Sequence, residues 1–310
     1  MRITNSMMTN NFLNNLNTNM AMMERYQYQL ATNKRMVRLS DDPTGIISSM
    51  QARVKLYRIE QYQTNVDTAK TWLTQTETAL KEMNNILTSS YEYTVQAANS
   101  YLTADEKIAI AEVIKQYRDH ALDLGNSKLG DRFLFGGYNT LNAPFTIDNN
   151  GDIFYNGLDL STVNQDLLDE SEEFIQFEIG YGMLTDAAIP GTKFMGMGQD
   201  NIYNVLDELY DNLMNDADPD VLAKSITKLQ NCSTDILATT AEIGGKSTRL
   251  DLMENRYEDD FINYTEMKSK VEDAKQAEVI MYFKMAESVY LSALNAGSKI
   301  IQPSLLDYMR

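Results

Sequence analysis

Four short constellations in this 310-residue chain resemble reactive sites, and each lacks a part that the chemistry requires. Gly244-Gly245-Lys246-Ser247 reads like the end of a phosphate loop. The cradle would also need a glycine where Thr240 stands and a strand before it, so the reading is a glycine turn between two helices. Asp148, Asn150 and Asp152 imitate the first half of a calcium loop. The glycine due at its sixth position is Ile153 and the glutamate due at its twelfth is Asp159, which favours a plain hairpin turn. His120 is the only histidine, so neither a histidine triad nor a two-histidine zinc site is expected. Cys232, the only cysteine, excludes an internal disulfide, and its neighbours Ile226, Leu229 and Ile236 suggest a packed thiol. The glycosylation-like triplets at Asn231 and Asn263 fall in helical pattern and read as chance matches. Catalytic, cofactor-binding and metal-binding residues are therefore expected to be absent, and the chain does not read as an enzyme.

The charge narrows the partners. At a net -17, affinity for nucleic acid is not expected, because phosphates must be met by Lys and Arg. The acid is concentrated: residues 139–200 hold 11 acidic side chains against Lys193, whereas residues 1–40 carry five bases against Glu24. The first twenty residues contain seven asparagines and no apolar run, so neither a cleavable signal nor membrane insertion is expected.

The elements that would position any site follow from the helix breakers. Residues 46–124 and 246–296 contain neither proline nor glycine, while 11 of the 15 glycines lie from Gly125 to Gly198. That pattern predicts helix, β-rich insert, helix, with the two arms packed on each other so that the chain ends meet. Ile59, Val66, Leu73, Leu80 and Leu87 recur every seven residues, with Tyr62, Ala69, Thr76 and Met83 on the companion row. Asp42-Pro43 supplies the start signal, and a helix from Ile46 to Tyr101 would span roughly 84 Å. Thr103 and Glu106 form a capping-box pattern for a second helix with Ile108, Ala111, Ile114 and Leu122 on its apolar face. Beyond the insert, Ile202 to Leu213 and Leu222 to Ile243 carry two more stripes, punctuated by Gly244-Gly245. The last arm sets Leu250, Tyr257, Tyr264 and Val271 seven apart and drifts toward Tyr282, Met285 and Val289. Phe145-Thr146-Ile147 and Ile153-Phe154-Tyr155 flank a turn sequence, and Phe174, Phe177 and Ile179 add a further β-like run.

The expected fold is mainly α with a β-rich insert: an elongated coiled-coil helical bundle built from both chain ends, with a small β domain mid-sequence. Its divisions are an N-terminal arm 1–42, bundle residues 43–138, the β-rich insert 139–197, bundle residues 198–275 and a C-terminal arm 276–310. The arms carry their own stripes: Phe12, Leu16, Met23, Leu30 and Val37 at one end, and Leu294, Ile300, Ile301, Leu305, Leu306, Tyr308 and Met309 at the other. Two arrangements cover them. They pack on each other, or they order between subunits on assembly.

Several segments resemble the bacterial flagellin superfamily. Met1-Arg2-Ile3-Thr4-Asn5, Leu30-Ala31-Thr32-Asn33-Lys34-Arg35 and Ser40-Asp41-Asp42-Pro43-Thr44-Gly45 are similar to its N-terminal signature. Leu294-Asn295-Ala296-Gly297 and Ser304-Leu305-Leu306-Asp307-Tyr308-Met309 are similar to its C-terminal arm, and Asp131 to Thr140 with Pro144-Phe145 resembles its hook-associated members. Asn33 stands where the family usually has glycine; asparagine tolerates the left-handed conformation that such a position requires. The resemblance implies an axial structural protein of the flagellum, exported unfolded, at the junction of hook and filament. The implied partners are further copies of itself in a ring, hook-associated protein 1, flagellin and an export chaperone, and the alternative role is that of a filament flagellin. It further implies that Phe12, Leu16, Met23, Leu30, Met285, Val289, Leu305 and Leu306 carry intersubunit contacts.

Overall fold

Where helix breakers are absent, the backbone is almost wholly helical. A computed structural model describes residues 5–36, 38, 40–98, 102–148, 151–162 and 175–300, with the backbone alone at 5, 299 and 300. In chain order the elements are α1 (Asn5–Thr32), α2 (Pro43–Ala97), α3 (Ala104–Gly125), β1 (Lys128–Leu129), β2 (Arg132–Phe133), β3 (Phe145–Ile147), β4 (Ile153–Tyr155), β5 (Leu158–Asp159), β6 (Gln176–Gly180), β7 (Met183–Asp186), α4 (Gly191–Met195), α5 (Ile202–Met214), α6 (Pro219–Glu272) and α7 (Gln276–Ile300). Two compact units result, one of residues 1–59 with 258–310 and one of residues 60–257; both boundaries fall inside the long helices α2 and α6.

In the second unit the heptad row of α2 is the core. Val66, Leu73, Leu80 and Leu87 are buried, as are Ala69, Thr76 and Met83 between them, while Tyr62 stacks on Tyr257 at 5.8 Å between ring centroids. Thr76 satisfies its hydroxyl within its own helix, donating to the Trp72 carbonyl at 2.9 Å, so a polar residue sits in the seam without an orphaned group. Glu106 makes the capping contact expected of it, accepting from the Thr103 backbone N–H at 2.8 Å. The face of α3 differs from the expected one. Ala111 and Ile114 are buried, but Ile110, Ala121 and Leu124 complete the face and Ile108 is exposed, so the face is turned by roughly 80° from the expected one.

The glycine pair does not end a helix. Residues Pro219 to Glu272 form one continuous α6 through Gly244 and Gly245. Each glycine costs about 1 kcal/mol relative to alanine in a helix interior, and Ile243 and Leu250, both fully buried beside the pair, offset that cost by packing.

The insert contains short antiparallel pairs. Strands β3 and β4 occupy the expected residues, in the register Phe145↔Tyr155, Thr146↔Phe154 and Ile147↔Ile153. Strand β5 returns immediately through Asn156-Gly157, whose φ angles of 50° and 88° suit the two-residue hairpin turn that asparagine-glycine prefers. Strands β1 and β2 precede the expected start of the insert. Beneath the hairpins lies an aromatic core in which Phe135 stacks on Phe194 at 4.0 Å, and the Tyr155 hydroxyl donates to the Phe135 carbonyl at 3.0 Å. The Phe133-Leu134-Phe135 run of the family-like motif is thus structural, with all three side chains buried.

Candidate assembly surface

The residues with reactive-looking spacing assume bland roles. Gly244 to Ser247 is helix interior. Asp148 donates its N–H to the Asp152 carbonyl at 3.0 Å inside a hairpin turn, and Asn150 lies outside the described residues. His120 Nε2 lies 3.1 Å from Glu82 Oε1. Cys232 is buried, and burial pushes its thiol up to about 11. Among the described residues no cluster of three His, Cys, Asp or Glu side chains could hold a metal, and no helix is long and apolar enough to cross a membrane.

What remains unsatisfied is apolar surface. In the first unit α1 and α7 pack along each other in opposite directions, with Tyr26 stacked on Tyr282 at 5.8 Å between centroids and Phe12 lying on Gly297. The fit at Phe12 needs a glycine, because a β-carbon at position 297 would overlap the phenylalanine ring. Two helices can cover only one stripe of each other. Met7, Met8, Leu13, Met20, Met22 and Tyr28 on α1 stay exposed, as do Ile280, Met281, Leu291 and Leu294 on α7. The sequence-derived contact residues therefore divide. Phe12, Leu16, Met23 and Leu30 are half-buried, whereas Met285 and Val289 are 55% and 45% exposed. Leu305, Leu306 and Val37 lie outside the described residues.

A polar collar fixes the base of this hairpin, and no periodicity in the sequence points to it. Asn33 adopts φ 56°, which turns the chain out of α1, and its side-chain oxygen accepts from Gln276 Nε2 at 2.6 Å. Residues 33–35 then pair with the segment that interrupts the C-terminal arm. The Ala274 N–H donates to the Asn33 carbonyl at 2.9 Å, and the Arg35 N–H donates to the Glu272 carbonyl at 2.7 Å. The break between α6 and α7 thus occurs without glycine or proline, because tertiary partners satisfy the freed backbone groups. Glu272, itself buried, accepts from Arg53 Nε at 2.7 Å and from the Ser49 hydroxyl, and lies 3.2 Å from Lys34 Nζ. The Arg53 guanidinium, with Ser49 and Lys34, holds its carboxyl at about 2, against the cost of burial. Gln29, also buried, donates to the Arg35 carbonyl at 2.6 Å.

The bacterial flagellin N-terminal helical region matches residues 3–140, which include α1, α2 and α3. The likeness does not stop there. The chain is 25% identical over 313 residues to flagellar hook-associated protein 3 of Escherichia coli strain K12, covering 96% of both chains. By both likenesses the chain is similar to the bacterial flagellin superfamily. Among solved structures, a flagellar hook-associated protein from Vibrio parahaemolyticus shares the fold with a TM-score of 0.66 at 23% identity, over 75% of this chain and all of that one. The flagellar junction protein of Legionella pneumophila does so with a TM-score of 0.59 at 13% identity, over 74% of this chain and all of that one. Asn33 occupies the turn at the end of α1, and its positive φ is a conformation that glycine or asparagine adopts at little cost.

Proposed function

We propose that this chain is a structural component of the flagellar axis that assembles at the hook-filament junction, linking hook-associated protein 1 to the flagellin filament through its terminal arms. One observation carries the reading: the similarity to hook-associated protein 3 extends over 96% of both chains, through the middle as well as the shared terminal regions. A filament flagellin would need only the arms in common, so the junction role is favoured over the filament role. The exposed apolar faces of α1 and α7 support a part that is completed by neighbours. In this reading Phe12, Leu16, Met23, Leu30, Met285, Val289, Leu305 and Leu306 take part in contacts between subunits, and residues 1–42 with 276–310 form the inner assembly domain. The acidic 139–197 insert faces outward, copies of the chain form a ring, and the role is not catalytic. Export through the flagellar apparatus, with a dedicated chaperone, delivers the chain to the extracellular flagellum.

Electron microscopy of a deletion strain tests this. Bare hooks with flagellin monomer in the medium are expected, and complementation by the intact gene restores filaments. Normal filaments on the hooks of the deletion strain would refute the junction role.

A further inference from the structure

A second apolar stripe lies in the first unit, on α2. Ile47, Met50, Val54 and Tyr57 recur at three-four-three spacing on α2, and all are exposed, Tyr57 at 70%. Lys55 and Arg58, both exposed, border the stripe, and Ile47, Met50, Val54 and Lys55 line a shallow hollow of about 430 Å³. The same unit carries a complementary face on α6. There Ile262 is exposed, with Glu258 and Asp259 four and three residues before it on the same side of the helix, while Glu266, four after it, is paired with Lys270 at 2.8 Å. Residues 258–267 hold four acids and no base.

We propose that the α2 stripe of one copy docks on the Ile262 face of α6 in the next copy. Val54 and Tyr57 would meet Ile262, with Lys55 and Arg58 opposite Glu258 and Asp259. A symmetric meeting of two α2 stripes is disfavoured because it sets Lys55 and Arg58 against their own copies. The α2-to-α6 contact instead joins different patches, and such head-to-tail contacts propagate into a ring or a helical series, as an axial assembly demands. The inference rests on the self-assembly included in the proposed function and adds the surface that carries it.

The test is disulfide trapping in flagella isolated from cells whose sole copy carries Val54→Cys together with Ile262→Cys. Cys232 stays in place, since it is buried. Mild oxidation should yield a ladder of dimers, trimers and larger species on a non-reducing gel, which neither single variant produces. Adding Lys55→Glu and Arg58→Glu should weaken the ladder roughly tenfold, and further adding Glu258→Lys and Asp259→Lys should restore it. Absence of the chain from isolated flagella would overturn the proposed function itself. A chain present in flagella without a ladder, or dimers from Val54→Cys alone, would overturn this contact and leave that function standing.

Discussion

Arg53 Nε lies 2.7 Å from Glu272 Oε1, joining the first turns of α2 to the last residue of α6 beneath the terminal hairpin. The carboxyl is held at about 2 against an ordinary 4.5, so its charged form is favoured by folding. Its contribution is therefore complete above pH 4.5 and is lost as the pH falls toward 2. Allowing for screening of the half-exposed Arg53 and Lys34, about 2 kcal/mol is at stake. Glu272→Gln should lower the urea midpoint of the full chain at pH 7. At pH 2.5 the two proteins should differ little; an equal gap at both pH values would show that charge is not the cause.

Gly244→Ala and Gly245→Ala should each raise stability by about 0.5–1 kcal/mol, since a β-carbon at either position meets no heavy atom within 4 Å. Thermal unfolding of the double variant decides this. A lowered midpoint would mean that the glycines serve something other than helix continuity.

Leu250→Ala tests the opposite balance one turn further on. That side chain is fully buried, and its removal should cost about 2–5 kcal/mol. Urea unfolding of Leu250→Ala beside the Gly244→Ala/Gly245→Ala double variant separates packing from propensity within one helix.

Gly297→Val should loosen the hairpin by driving a side chain into the Phe12 ring. Amide hydrogen exchange along α1 should accelerate roughly tenfold relative to the parent chain. Pairing the change with Phe12→Ala should recover part of the protection, because the collision is then removed.

Cys232, whose thiol is pushed up to about 11 by burial, should resist a thiol reagent at pH 8 in the folded chain and react in full in denaturant. Rapid labelling without denaturant would contradict the packed environment next to the Asp200 carbonyl.

The long helices, the α2 seam and the β3–β4 hairpin were legible from the amino-acid order, because each follows from local chemistry. Seven-residue repetition forces one face of α2 inward, and the turn residues between Ile147 and Ile153 reverse the chain. The superfamily was legible too, through short motifs whose order and terminal placement restrict them. Asn156-Gly157 was an equally local signal, and it marks the third strand of the same small sheet.

What only the tertiary structure decided concerns groups distant in sequence. Breakers alone foretell a helix end at Gly244-Gly245 and none at residue 273, and the reverse occurs. The glycines stay helical because Ile243 and Leu250 are anchored in a core. The arm breaks because Asn33, Lys34 and Arg35, over two hundred residues earlier, offer partners to its backbone and carboxylates. The collar of Lys34, Ser49, Arg53 and Glu272 leaves no periodic trace, since single polar residues look solvated until folding removes the water around them. Likewise the sequence marks Phe12 and Met285 alike as apolar. Only the pairing of α1 with α7 turns one inward onto Gly297 and leaves the other exposed.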